Sequence, residues 1–413
     1  MFAPGLNRGL TLHLFFPNRF SSPMKIFYLA RINIATEDAS TRHVFEFCRQ
    51  FAGIGHEVIL FVPDLGERRE LEGVRFVHVP VFFKNSGVTF FSFYLSLFFI
   101  LSKHCLKSRP DILYTRLQSM EWMSTLLTYV FRFKYVVEVN GLAPIEMKIN
   151  AVSKGWIAFI TLMERIIYKL ADQVVVPSAL IRDYLCRNYG VKEDSVLVVS
   201  NGANPEFSRP MDKADCRNQL GLPLDGNYLV FVGSLKQWHG IDQLVPLMPA
   251  LVAECPGLHL LIVGDGDKRD ELKRRIDDLQ LGRNITLAGR VPFERVPIYI
   301  NAGDICLAPY FEEGLNETGI SPLKIFEYMA CGRPIITNPV GGLDALFREH
   351  EVGVMIHSMN PQDWEKPIRD LLGDPEKMKI LGDNGYRAVQ TQYSWEAVCK
   401  KIENTLERLV SSK

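Results

Sequence analysis

The chain has 413 residues, 47% of them hydrophobic and 23% charged, with equal numbers of acidic and basic side chains. This is an ordinary globular balance with room for two or three domains, and zero net charge argues against a nucleic-acid binder. The charge is nonetheless divided. Basic residues exceed acidic ones by six over residues 1–200 and fall short by six over residues 201–413, which suits the first half to an anionic acceptor or an anionic membrane surface; chance is the bland alternative.

Residues 1–23 hold neither a clean apolar stretch nor a small-residue cleavage site. A signal peptide is not expected there; either Met24 is the natural start or the segment is a loose extension. From Met24 onward, short apolar runs alternate with helical patterns. Strands are expected at KIFYLAR, EVILFVP, VRFVHVP, DILYTR, KYVVEVNG, QVVVPS and VLVVSNG in the first half, and at YLVFVGSL, HLLIVGDG, NITLAGRV, DICLAPY and PIITNPV in the second. The runs are continuous rather than alternating, as when helices cover both faces of a parallel sheet. Helical patterns such as STRHVFEFCRQFAGIG and DKRDELKRRIDDLQLG lie between them. About a dozen strands exceed what one open twisted sheet usually holds, so two doubly wound α/β domains are expected. The break falls in the Asn-, Pro- and Gly-rich segment NGANPEFSRPMDKADCRNQLGLPLDGN. Ligands of such folds sit beyond the carboxyl ends of the strands, here in the cleft between the domains.

One segment departs from this pattern. Val88 to Leu101 is strongly apolar but short of the ~20 residues that span a bilayer. It is either a core helix under the sheet or a membrane-surface helix, with Lys103, Lys107 and Arg109 just beyond it. GWIAFITLMERIIYKL poses the same choice. The eight cysteines lie far apart with no C-x-x-C pair, which points to buried thiols in a reducing compartment rather than a zinc or redox site.

Three places carry candidate chemistry. In NETGISPLKIFEYMACGRPII, Ser321 and Pro322 read as N-cap and first helical residue. Lys324 then falls in the first turn, where the helix end is already positive. An anion shared by Lys324 and the free N–H groups of Leu323 and Lys324 resolves the misfit; a solvated lysine is the alternative. Glu327, one turn on, is within reach of ribose hydroxyls. In FVGSLKQWHGIDQLV, Lys236 and His239 occupy a strand-to-helix turn suited to a diphosphate. Gly264-Asp265-Gly266 lacks the remaining glycines of a dinucleotide fingerprint.

The order VGSLKQWHG, LLIVGDG, ITLAGRVP, DICLAPY, SPLKIFEYMACGRPII resembles the C-terminal domain of the retaining glycosyltransferase family 4, of GT-B fold, and in particular a subgroup sharing the SPLK and KxWHG motifs. MKIFYLAR, HVFEFCRQFAGIGHEVILFVP, ADQVVVPSALIRDYL and VLVVSNGANPEF agree in the first half, so the resemblance covers nearly everything from Met24 on. It implies two Rossmann-like domains facing across a cleft: residues 24–205 on the acceptor side, residues 206–392 binding the nucleotide sugar, and a helix in 393–413 packing back toward the N-terminal domain.

The resemblance also implies roles. Lys236, His239 and Lys324 balance the diphosphate, with Gly233 and Ser234 on the same turn. Glu327 holds the ribose, and the helix start at Gly319, Ile320, Ser321 and Leu323 surrounds the donor. Backbone groups at Gly289, Arg290 and Val291 hold the base. The family's sugar-contacting glutamate is replaced by Gly319 here, with Glu317 a near substitute. The first nucleotide-facing loop has no glycine pair, so Ser40, Thr41 and Arg42 stand in for it. Asn140 takes a position near the reacting sugar, although Asn-Gly is also a plain turn signal. The donor is a UDP-, GDP- or dTDP-sugar, and neither a cofactor nor a metal is required. The acceptor is a glycan, a lipid-linked sugar or a small molecule. The expected location is cytoplasmic, free or peripheral at the inner face of the membrane. A sugar-nucleotide epimerase, a glycan phosphorylase and a non-catalytic binder are the rival readings.

Overall fold

The computed structural model describes residues 22–412 apart from 37, 83–87, 118–120, 150–151 and 312–320. Strands β1 (Lys25–Leu29), β2 (Glu57–Asp64), β3 (Val74–Pro80), β4 (Ile112–Arg116), β5 (Lys134–Glu138), β6 (Gln173–Val176) and β7 (Val196–Val198) form one sheet, in the order β3-β2-β1-β4-β5-β6-β7. Strands β8 (Asn227–Val232), β9 (Leu258–Val263), β10 (Ile285–Gly289), β11 (Ile305–Ala308), β12 (Ile335–Thr337) and β13 (Gly353–Met355) form a second, in the order β10-β9-β8-β11-β12-β13. Every strand pairing within both sheets is parallel. The twelve apolar runs of the sequence are all strands. The thirteenth, β13, is only three residues long and was not among them.

Each sheet is buried on both faces, so each half has two apolar layers. Strand order reverses direction between β1 and β4, and between β8 and β11. Those switch points open crevices at the carboxyl ends of the strands. The helix α1 (Ala39–Gly53) follows β1 and is capped by Asp38, whose carboxylate accepts the Thr41 N–H at 2.9 Å. The apolar segment starting at Val88 is α2 (Val88–Lys107). Phe93, Tyr94, Leu97 and Leu101 bury one of its faces in the core, while Leu95, Phe99 and Leu106 stay exposed on the other. Helices α3 (Trp122–Phe131) and α4 (Lys154–Leu170) lie on the same side of the sheet.

The last helix carrying the argument besides α5 (Leu323–Ala330) is α6 (Trp395–Ser411). Although it follows the second sheet, α6 completes the core of the first. Trp395, Val398, Cys399, Ile402 and Leu406 pack with Val44, Phe47 and Phe51 of α1. The crossing is close at Gly202, where an added Cβ would lie 2.8 Å from the Tyr393 carbonyl oxygen. Polar groups fix its register. Buried His56 bonds the Met24 N–H through Nδ1 and Glu403 through Nε2, at 3.1 and 3.2 Å. The eight cysteines are unbonded, and six of them are buried.

Leu406 is fully buried among these rings. Leu406→Ala should therefore destabilise the first unit by about 2–5 kcal/mol, the usual cost of emptying a core leucine site. Urea unfolding followed by tryptophan fluorescence reads this, Trp395 being in the affected core.

Candidate active site in the cleft

The cleft is built from strand ends. On the second sheet, β8 ends at Gly233 and its turn carries Ser234, Lys236 and His239. An added Cβ at Gly264, after β9, would lie 1.9 Å from the Gly233 carbonyl oxygen, so glycine is what lets these two turns touch. Opposite them stands α5.

Lys324 lies in the first turn of α5 and is buried. Among the described residues its ammonium has no hydrogen-bond partner. It sits 4.3 Å from the centre of the Phe231 ring and 5.6 Å from that of Tyr310. An added Cβ at Gly233 would stand 2.6 Å from the same nitrogen, so the glycine leaves room for it. Burial lowers its pKa from 10.5 to about 7. The two ring faces partly offset that, since cation–π attraction contributes about 1–2 kcal/mol when desolvated. His239 lies close by. Its Nδ1 meets the Ser234 carbonyl, which directs Nε2 elsewhere. Burial and the Lys324 charge together push its pKa down to about 3. Two basic groups thus lie within electrostatic reach of one another.

Lys236 is placed differently. Its ammonium pairs with the exposed carboxylate of Asp267, an interaction worth about 0–1 kcal/mol and easily surrendered. Glu327 is buried one turn beyond Lys324 and is bridged by Arg42 of α1. The Arg42 guanidinium also stacks 3.8 Å from the Phe293 ring centre. Of the three first-loop residues, Arg42 is the one that reaches across the cleft. The Thr41 hydroxyl turns back to the Asn33 carbonyl, and Ser40 is half-buried in the first turn of α1. The Gly289 carbonyl accepts the Gly264 N–H at 2.8 Å. Beyond it Arg290 is exposed and Val291 packs on the core. Glu317, Gly319 and Ile320 lie outside the described residues.

Ser321 does not cap α5. The helix starts one residue later with Pro322 at the cap position. The Ser321 hydroxyl accepts the backbone N–H of Asn201, after β7, and the Ser321 carbonyl accepts the Asn201 side-chain amide at 2.6 Å. The serine therefore joins the two units, and leaves the first N–H groups of α5 uncapped.

On the first sheet, Asn140 is held against Glu138 at the end of β5. Around Glu138 the sequence reading had named nothing else. His43 Nε2 lies 2.7 Å from its carboxylate, Tyr28 donates to it at 3.2 Å, and Arg116 stands 4.0 Å away. Burial pushes the Glu138 carboxyl up, but His43, Arg116 and Asn140 outweigh it and hold it at about 2. His43 Nδ1 in turn meets Asn201 Oδ1 at 2.8 Å. A small pocket lined by His43, Glu138, Asn140 and Asn201 opens there. Glu121, before α3, is a second buried acid, and burial raises it to about 8. The signal for the Glu138 cluster was a charged residue ending an otherwise apolar strand. Among the described residues no group of His, Cys, Asp and Glu could hold a metal ion.

The family described as Glycosyl transferases group 1 matches residues 212–388, and Glycosyltransferase Family 4 matches residues 40–207. The chain is thus similar to a glycosyltransferase family 4 model in its first half and to a glycosyltransferase group 1 model in its second, and its two parallel-sheet α/β domains resemble the GT-B fold. A D-inositol 3-phosphate glycosyltransferase of Corynebacterium aurimucosum is 30% identical over 57% of this chain and 56% of its own. The match spans about half the length of such relatives. Among solved structures, sucrose-phosphate synthase from Thermosynechococcus elongatus superposes with a TM-score of 0.77 at 22% identity, covering 94% of this chain and all of that one. Anabaena HepE in complex with UDP-glucose gives 0.71 at 15%, covering 93% and 100%.

The Lys324 pKa has a consequence for stability. Its folded value lies below the unfolded one, so the unfolded chain binds more protons between about pH 7 and 10.5. Stability relative to Lys324→Met should fall as pH drops through that window and level off below about 7. The upper bound is about 5 kcal/mol, less the ring attraction. Without ligand, Lys324→Met should melt higher than wild type at pH 6.5, and the gap should close toward pH 10 in calorimetry.

Proposed function

We propose that the protein transfers a sugar from a nucleotide-diphosphate sugar to a glycan, lipid-linked or small-molecule acceptor with retention of configuration. The observation that carries this is the buried Lys324 ammonium at the start of α5, which has no hydrogen-bond partner among the described residues and no side-chain cap beside it there. A diphosphate supplies the acceptor oxygens that Lys324 lacks, and it accepts the free N–H groups of the helix end. Bound there, it raises the pKa of Lys324 and His239 together, so both meet the leaving group as cations or strong donors. Lys236 swings from Asp267 to join them. Glu327 exchanges Arg42 for ribose hydroxyls, and backbone groups of Gly289, Arg290 and Val291 hold the base. Anabaena HepE, which shares this fold, is seen in complex with UDP and with UDP-glucose, which makes a UDP-sugar the first donor to try.

Negative charge grows on the diphosphate as the bond to the sugar breaks. Lys324, His239 and the helix end stabilise that charge more in the transition state than in the bound donor. In a front-face displacement the departing phosphate takes the acceptor proton, so no side-chain nucleophile is needed. Glu138, fixed as a carboxylate by His43 and Arg116, orients Asn140 toward the cleft, where a sugar hydroxyl would accept or donate.

Donor hydrolysis with a panel of UDP-, GDP- and dTDP-sugars, read as free nucleoside diphosphate, tests the reading; silence across the panel with a folded protein would sink it. Lys324→Ala should lose about 2–4 kcal/mol of transition-state stabilisation, a rate loss of about 10²–10³. Lys236→Ala should cost less, about tenfold, because its cation already has another partner in the free protein. Glu327→Gln should weaken binding of the nucleoside diphosphate in isothermal titration without lowering the melting temperature. Unchanged affinity would leave Glu327 as the partner of Arg42 alone.

A further inference from the structure

The first unit carries an apolar outer surface that the proposed transfer does not use. Helices α2, α3 and α4 pack side by side over one face of its sheet. Ten of the twenty large hydrophobic residues found exposed among the described residues lie on these three helices, and chance does not gather half of them there. Phe99 is 64% exposed, Val130 71% and Tyr129 63%. Trp156 and Phe159 stack at 5.3 Å on the outer side of α4, and both are exposed. A monomer rarely shows so continuous an apolar face to water.

The charges on that surface have one sign. Helix α2 has no acidic residue and exposes Lys103 and Lys107. Helix α3 has no charged residue at all. Helix α4 exposes Lys154, Arg165 and Lys169, and its single acid, Glu164, is buried, accepting the Tyr189 hydroxyl at 2.6 Å. Arg109 and Arg132 are exposed at the ends of α2 and α3. No exposed acidic side chain stands on any of the three helices. No helix among the described residues is long and apolar enough to cross a membrane.

We propose that the α2–α3–α4 face docks on an anionic lipid surface, its aromatic and aliphatic side chains entering the headgroup region and its lysines and arginines meeting lipid phosphates. Charge decides between this occupant and a second copy of the chain. A two-fold interface sets a surface against itself, and here that would bring cations against cations with no acid to answer them. In a parallel α/β unit the helices run opposite to the strands, so the amino ends of α3 and α4 lie toward the cleft. A chain lying on this face has the cleft mouth at one edge of the contact, with Lys154 and Trp156 nearest it and Lys103, Lys107 and Arg132 toward the opposite edge.

The test uses the whole chain and vesicles of phosphatidylcholine with or without phosphatidylglycerol. Wild type should sediment with the anionic vesicles at low salt, and less with neutral ones. About 0.5 M salt should release much of it, because exposed charges are then screened within about 4–5 Å. Trp156→Ser with Phe159→Ser, and separately Leu126→Ser with Val130→Ser, should weaken partition at least about tenfold, since each removes two side chains from the lipid. These positions are exposed, so the melting temperature should hold. Lys103→Glu with Lys107→Glu should lower binding to the anionic vesicles alone. Nucleotide release from the soluble donor should stay at the wild-type level in all three variants, which separates this proposal from the transferase reading. A wild type that stays in the supernatant at low salt overturns the proposal, as does wild-type binding by both apolar variants. A dimer in light scattering that Leu126→Ser with Val130→Ser dissolves also overturns it, and gives the face to a second copy.

Discussion

A buried cation with no hydrogen-bond partner among the described residues is the constraint from which the cleft can be understood. Burying an ammonium against two aromatic rings is unfavourable in the free protein, and the Lys324 pKa near 7 records that cost. The surroundings are arranged to keep the group in place rather than to satisfy it. Gly233 leaves space, Phe231 and Tyr310 supply ring faces, and His239 is held by a carbonyl on its other nitrogen. The ammonium and the ring faces around it are thus held in a fixed arrangement at the helix start.

The two sheets meet through polar groups as well as apolar ones. Asn201 holds Ser321, and Arg42 holds Glu327. Both contacts come from segments that follow strands β7 and β1, and both end on or next to α5. Whatever α5 binds is therefore felt by the first unit. Asn201 also touches His43, which touches Glu138. A chain of direct contacts runs from the start of α5 to the carboxylate beneath Asn140, passing from one sheet to the other without a gap.

Much of the fold was legible because parallel strands covered on both faces leave continuous apolar runs. All seven strands of the first sheet and five of the second stand out that way, whereas β13 pairs along one edge with three residues and leaves no such run. Lys324 was legible through a local misfit, a cation at a positive helix end. Its burial was not, since that depends on Phe231 and Tyr310 from other strands. Ser321 misled for the same reason. A serine before proline and a helix is a sound local cap signal, but Asn201, 120 residues away, claims its hydroxyl. The Glu138 cluster needed β5, α1 and the end of β4 brought together, and no spacing in the sequence announces it. The apolar segment at Val88 posed a core helix against a membrane-surface helix, and α2 buries one side in the core while Leu95, Phe99 and Leu106 stay exposed on the other.

The position of α6 bears on how the molecule comes into being. Trp395, Ile402 and Leu406 close a core whose other walls are α1 and β1, and His56 reaches Glu403 across 347 residues. During synthesis at about 5–20 residues per second, the first sheet emerges long before its final helix. That nascent unit waits for roughly 10–40 seconds with an apolar seam open along Phe47 and Phe51, while the second unit is made. Chain order and folding order are thus inverted: the half made first is the half finished last.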